Sequence, residues 1–336
     1  MSMNVALIGP GTLKGEKLLE LLDESALQVE SMSLYEEADS AGRSLMFRGR
    51  ACRTRALEDF TGEGCALVFV CMAELDAEIL EKLQHLPSAY VIDLFPQHYQ
   101  EAPLLVVPAI NGEVLPSIDA GRIIGVPGSA TITAALALAP LHHAYQILKL
   151  NLTVLCAASE GGRKGVEALA AETARLLNGR DVDASVFERQ IAFNLIPSVG
   201  AVQPSGYTSV EEQVLQQLPV LLGDEDLELD VSAVRVPVFY GDMVVAQAET
   251  RQPLELDQLQ ELMDKAKGVR FDQAAKKPAS LVNDVIGQDV VVVNRIRPDA
   301  SGEGGFGLHA LSDDLGRGSA LVALEIALAL QESPRR

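Results

Sequence analysis

The chain opens with a short apolar run, Asn4-Val-Ala-Leu-Ile-Gly9, that passes directly into the turn Gly9-Pro10-Gly11-Thr12-Leu13-Lys14-Gly15 and then into the amphipathic stretch Glu16 to Leu22. An unbroken apolar strand is one buried on both faces, as in a parallel sheet. Followed by a glycine-rich turn and a helix, it is the opening of a nucleotide-binding α/β unit. Glycines let the turn close tightly and bring backbone amides to a pyrophosphate at the helix N-terminus. Gly9, Gly11, Thr12 and Leu13 are therefore candidate cofactor contacts.

A chain of 336 residues can bury a large core and is expected to form two domains. Its hydrophobic content of 48% with no Trp suits an Ala/Leu/Val-rich α/β protein. The formal net charge of −20 disfavours nucleic acid and acidic membranes as partners. The four cysteines, Cys52, Cys65, Cys71 and Cys156, lack metal-ligand spacing, so no metal is expected and the thiols read as reduced and cytoplasmic. The first residues read as a strand and not as a signal peptide, and no apolar run is long enough to predict a membrane span.

A second junction falls at Arg122-Ile-Ile-Gly-Val-Pro-Gly-Ser129, after which an Ala/Leu-rich helical pattern begins. Ser129 therefore stands where a helix presents free amides and partial positive charge. Two roles fit it: a nucleophile with an oxyanion site beside it, or a simple helix cap. Further strands are expected over Val29 to Tyr35, Ala66 to Cys71, Tyr90 to Asp93, Leu148 to Ala158, Val234 to Gly241 and Val290 to Arg297. A helix should run from Ser159-Glu-Gly-Gly-Arg-Lys-Gly165 to Leu177. Tyr207-Thr208 with Glu211-Glu212 carries a capping-box signal.

Ile123-Ile-Gly-Val-Pro-Gly-Ser129-Ala-Thr131 resembles, in register, the active-site loop of the aspartate-semialdehyde dehydrogenase family, Ile-Ile-Ala-Asn-Pro-Asn-Cys-(Ser/Thr)-Thr. Val106-Val-Pro-Ala-Ile-Asn111, Ile191-Ala-Phe-Asn-Leu-Ile-Pro197, Arg235-Val-Pro-Val238 and Gly316-Arg-Gly-Ser-Ala320 resemble other motifs of that family. The match runs from Asn4 to about Leu330 and is most similar to the Usg-type branch, a bacterial paralogue group. The resemblance implies an N-terminal Rossmann-like NAD(P)-binding domain over 1–128 plus a C-terminal helix in 315–336. It also implies an α+β dimerisation domain over 129–314 with a largely antiparallel sheet, and a homodimer with Ile191–Pro197 near its interface.

The chemistry of the motifs differs from the family's. Its nucleophilic cysteine falls on Ser129, its substrate-orienting glutamine on Cys156 and its acid/base histidine on Asp242. Its anion-binding arginine after Asp93 is absent, and its helix cations are replaced by Val214 and Leu218-Pro-Val-Leu221. The loop that holds the 2′-phosphate of NADP keeps Ser40 and Arg43 but has Asp39 at the arginine, beside Glu36 and Glu37. That acidic loop suits a free ribose hydroxyl or is merely solvated. Met72 and Glu74 stand where the family has small residues, and Asp314 replaces an asparagine near the cofactor amide. Cys156 is either a substitute nucleophile or inert core, and Asp242 either a base or a turn residue.

The expected function is thus a catalytically silent relative with a retained fold, weak NAD or NADP binding with NAD favoured, a homodimer, and an unidentified protein partner. The alternatives are an active NAD(P)-dependent semialdehyde dehydrogenase of amino-acid biosynthesis and an acyl-transfer enzyme dependent on Ser129.

Overall fold

The computed structural model describes residues 2–99, 102–182, 186–273, 277–299 and 304–332. The chain divides into two compact units, Met1–Pro127 with Ser319–Arg336, and Gly128–Gly318. Of the helix expected within 315–336, residues 333–336 lie outside the described residues.

The first unit contains β1 (Met3–Ile8), α1 (Leu13–Glu24), β2 (Val29–Glu36), β3 (Ser44–Phe47), β4 (Arg50–Arg53), β5 (Arg55–Ala56), β6 (Leu67–Val70), α2 (Ala77–Gln84), β7 (Tyr90–Asp93), β8 (Leu104–Leu105), α3 (Pro108–Asn111) and β9 (Ile123–Gly125). Seven of these strands form one sheet in the order β5-β2-β1-β6-β7-β9-β8, parallel throughout. β3 and β4 make a separate hairpin. Ala6, Ile8, Val68, Val70 and Val91 line one face and share a buried cluster with Phe60 and Tyr35, and Val5, Leu7, Leu67 and Phe69 of the other face are buried too, as in a sheet covered on both faces.

α1 starts three residues earlier than the amphipathic stretch suggests. Thr12 is its N-cap, and its Oγ1 accepts a hydrogen bond from the Gly15 amide at 3.0 Å. Such a cap is worth about 0.5–2 kcal/mol. At Gly15 any side chain would meet the Gly9 carbonyl oxygen, so the glycine allows α1 to pack directly on the turn.

The second unit contains α4 (Ser129–Tyr145), β10 (Ile147–Cys156), α5 (Gly162–Leu177), α6 (Ser209–Leu222), β11 (Glu228–Arg235), β12 (Asp242–Thr250), α7 (Leu256–Asp264), β13 (Val269–Phe271), β14 (Val291–Pro298) and β15 (Gly305–Ser312). Its six-stranded sheet runs β11-β10-β12-β15-β14-β13. The central pairings are antiparallel and each edge pairing is parallel, so the sheet is mixed. The strand expected over Val234 to Gly241 stops at Arg235. Pro237 has no amide to donate, and the Val236 amide makes a last bond to the Cys156 carbonyl at 2.9 Å.

α4 packs against α6, β12 and β15 and is buried from Ala130 to Ala139. α6 begins with the full capping box: Thr208 accepts from the Glu211 amide, and Glu211 Oε2 accepts from the Thr208 amide at 2.6 Å. The last helix, α8 (Leu321–Glu332), belongs to the first unit and packs on α1 and β7.

Candidate functional site

In the first unit, the turn after β1 and the end of β2 meet because the two strands are neighbours. The Gly9 carbonyl accepts from the Thr12 amide at 3.2 Å and from Thr12 Oγ1 at 2.9 Å, which fixes the turn. Leu13 is the first residue of α1. The Gly11 amide donates to Glu36 Oε1, and Arg43 Nη2 lies 3.6 Å from the same oxygen. A Cβ on Gly11 would stand 2.6 Å from that oxygen and 2.5 Å from the guanidinium nitrogen, so a side chain there would have to displace the ends of both.

Glu36 is only 6% exposed, and burial raises its carboxyl above the ordinary value of 4.5. Asp39 and Ser40 instead lie in a 3-10 turn, Ala38–Ser40, with Asp39 exposed. The carboxylate that faces the glycine-rich turn is therefore Glu36 and not Asp39, because β2 extends one residue past Tyr35. Met72 is buried and packs on Gly9, whereas Glu74 is exposed. The Tyr99 hydroxyl donates to the buried Asp93 carboxylate at 2.7 Å. Glycine-rich turn, helix start and buried acid together fit the adenosine half of a dinucleotide.

In the second unit, α4 begins at Ser129 but is not capped by it. Gly128 occupies the N-cap position, and Ser129 Oγ is inaccessible and without a hydrogen-bond partner among the described residues. The hydroxyl lies against Gly318, where a Cβ would approach it to 2.2 Å. The Gly128 amide donates to Gln217 Oε1 of α6 at 2.9 Å, so a glutamine fills one of the free amides that a helix start would otherwise present.

Cys156 ends β10, directly opposite Asp242 at the start of β12, and Asp242 pairs in turn with Ser312 of β15. Thr133, one helical turn after Ser129, reaches that row: its Oγ1 lies 2.6 Å from Ser312 Oγ and donates to the Ser129 carbonyl at 2.9 Å. Thr133 thus links the first turn of α4 to the end of the sheet where Cys156 and Asp242 pair. Asp242 is a buried strand residue, 4% exposed, and not a turn residue. Burial, with the Asp242 charge next in weight, pushes the Cys156 thiol well above its ordinary value.

Asp314 is buried, and both its oxygens are engaged within this unit: Ser159 Oγ donates to Oδ2 and the Gly241 amide to Oδ1, each at 2.6 Å. Beside Cys156 on β11 stands Arg235, a buried guanidinium paired with Glu160 at 2.7 Å and stacked 4.3 Å from the Phe187 ring. Arg235 and Gln217 join the candidate site without having been singled out by sequence reasoning, and Glu36 enters there only as a neighbour of Asp39. Arg235 reads as part of a scaffold motif, Glu36 as a loop flank, and Gln217 carries no local signal. Among the described residues, no group of three or more His, Cys, Asp or Glu could hold a metal ion, and no helix is long and apolar enough to cross a membrane.

Residues 4–118 match the semialdehyde dehydrogenase NAD binding domain, and residues 138–317 the semialdehyde dehydrogenase dimerisation domain. An aspartate-semialdehyde dehydrogenase 2 of Vibrio cholerae is 31% identical over 336 residues, covering 96% of each chain. A USG-1 protein homolog of Pseudomonas aeruginosa is also 31% identical, over 322 residues and again 96% of each. The solved structure of a probable aspartate-semialdehyde dehydrogenase from Pseudomonas aeruginosa superposes with a TM-score of 0.93 at 31% identity, covering 99% of both chains.

Proposed function

The chain belongs to the aspartate-semialdehyde dehydrogenase family, and we propose that within it this protein keeps the nucleotide-binding and dimerising units but does not oxidise a semialdehyde. The observation that carries this reading is the environment of Ser129. A serine hydroxyl is a weak nucleophile unless a base removes its proton. Here the hydroxyl is enclosed beside Gly318 with no hydrogen-bond partner among the described residues, and Gln217 occupies the neighbouring Gly128 amide.

The remaining groups do not supply the lack. The thiol of Cys156 is 1% exposed and held protonated by burial. Asp242 stands at the family's histidine position, and losing one positioned acid/base typically removes about 10²–10⁴ in rate. Tyr99 replaces a guanidinium that would hold an anion, and its hydroxyl is committed to Asp93.

A dinucleotide would be held by Gly9, Gly11, Thr12 and Leu13, with Ser40 and Arg43 at its adenosine end, and would supply the hydride acceptor of the family's reaction. Met72, packed on Gly9, narrows that turn and makes binding weak. The protein acts as a homodimer, through the exposed Phe193 and Leu195 of the dimerisation unit.

A second reading, an active semialdehyde dehydrogenase, is favoured by one observation: Arg235, a buried guanidinium beside Cys156, is suited to grip a substrate carboxylate if Glu160 releases it. Intact-mass spectrometry separates the two. The protein is incubated with aspartate semialdehyde and NAD or NADP, without phosphate, so that any acyl-enzyme accumulates. The proposal expects an unchanged mass; an acyl adduct on Ser129 or Cys156 overturns it.

A further inference from the structure

We infer that the Glu36 carboxylate selects the nicotinamide cofactor, accepting the free ribose hydroxyls of NAD and excluding the 2′-phosphate of NADP. The inference rests on the proposal that the first unit binds a nicotinamide dinucleotide.

The parallel sheet order sets β2 beside β1, so the carboxyl end of β2 arrives at the turn that leaves β1. Glu36 is the last residue of β2. Its side chain turns onto the glycine-rich loop, where it accepts from the Gly11 amide. The close approach at Gly11 places carboxylate and guanidinium directly over the backbone that a dinucleotide would lie along. A carboxylate there can accept from ribose hydroxyls.

A 2′-phosphate brings about 1.5–2 negative charges at neutral pH by analogy with other phosphate monoesters. It would meet Glu36 from β2, with Glu37 beyond it and Glu16 from α1 adding the same sign. Arg43 opposes that sign, but it is already drawn to Glu36 at 3.6 Å. An arginine so committed gives a phosphate less than its full attraction, because capturing it leaves a buried carboxylate unpaired. Asp39, the loop residue that replaces the family's arginine, is exposed. Discrimination therefore belongs to Glu36.

The test is a calorimetric titration of the full-length protein with NADH, NADPH, ADP-ribose and 2′-phospho-ADP-ribose, at millimolar ligand where needed. The parent should bind NADH at least tenfold more tightly than NADPH. Glu36→Gln keeps an acceptor for the Gly11 amide and removes only the charge; it should cut that ratio at least tenfold, chiefly by tightening NADPH. Asp39→Asn should leave the ratio within twofold. An unchanged ratio in Glu36→Gln, or a ratio that follows Asp39→Asn, overturns the inference while dinucleotide binding stands. Binding of ADP-ribose but not NADH, with the same Glu36 dependence between the two ribose ligands, supports the inference and removes the nicotinamide reading. No binding of any of the four overturns both.

Discussion

Cys156 and Asp242 face each other across the β10–β12 ladder, the last residue of one strand against the first of the next. Two groups that a shifted chemistry would need are thus neighbours, but in the wrong electrostatic order. A buried thiol beside a carboxylate is held in its protonated form, and only the thiolate attacks. Cys71, fully buried, is likewise raised. Alkylation by iodoacetamide at pH 8, read by peptide mass spectrometry, should therefore modify Cys156 and Cys71 only after unfolding. Labelling of Cys156 in the native protein at the rate of a free thiol would show that the site opens.

Glu36 gives stability a pH dependence of definite sign. Its folded-state carboxyl titrates above the ordinary 4.5, because burial outweighs the Gly11 hydrogen bond and the Arg43 charge. The folded protein then holds that proton more tightly than the unfolded chain. The corresponding stability is complete below about pH 4.5 and is lost as pH rises through the raised value. Glu36→Gln removes this titration. Urea unfolding at a series of pH values should show the variant gaining on the parent between pH 4.5 and 7; the parent gaining on the variant over that range would contradict the assignment.

Much of this architecture was legible locally. The strand–glycine–helix opening, the Thr208–Glu211 box and the strand at Tyr90–Asp93 follow from patterns a few residues long. What failed needed information from elsewhere in the chain. Ser129 reads as a cap because its hydroxyl suits the role, but Gly128 is the residue with extended dihedrals and so takes the position. Asp39 reads as the cofactor-facing acid from its place in a loop pattern, whereas the run of β2 to Glu36 decides which carboxylate reaches the turn. Gln217 and Arg235 depend on the packing of α6 against α4 and on the pairing of β11 with β10, contacts between segments far apart in sequence.

Phe193 and Leu195 are 67% and 62% exposed, while Ile191 and Ala192 between them and α5 are fully buried and held by Glu172, which accepts both amides. A loop so anchored that presents two large apolar side chains is where the proposed homodimer would make its contact. The double change Phe193→Asp and Leu195→Asp should shift the parent homodimer to monomer at micromolar concentration in light scattering, with unfolding of the monomer's secondary structure unchanged by circular dichroism. A parent that is already monomeric at that concentration would contradict the assembly.

The central claim is that the family's scaffold persists here without its chemistry, and steady-state turnover tests it most directly. Purified protein is supplied with aspartate semialdehyde, phosphate and either NAD or NADP, and reduced cofactor is followed at neutral to mildly alkaline pH. Restoring the thiol alone should not revive the reaction, because nucleophile, acid/base and anion-binding groups act as a unit. The account predicts no rate above the protein-free blank for the parent or for Ser129→Cys. A parent rate on the order of 10 s⁻¹, ordinary for an enzyme, that disappears in Ser129→Ala or in Cys156→Ser would contradict it.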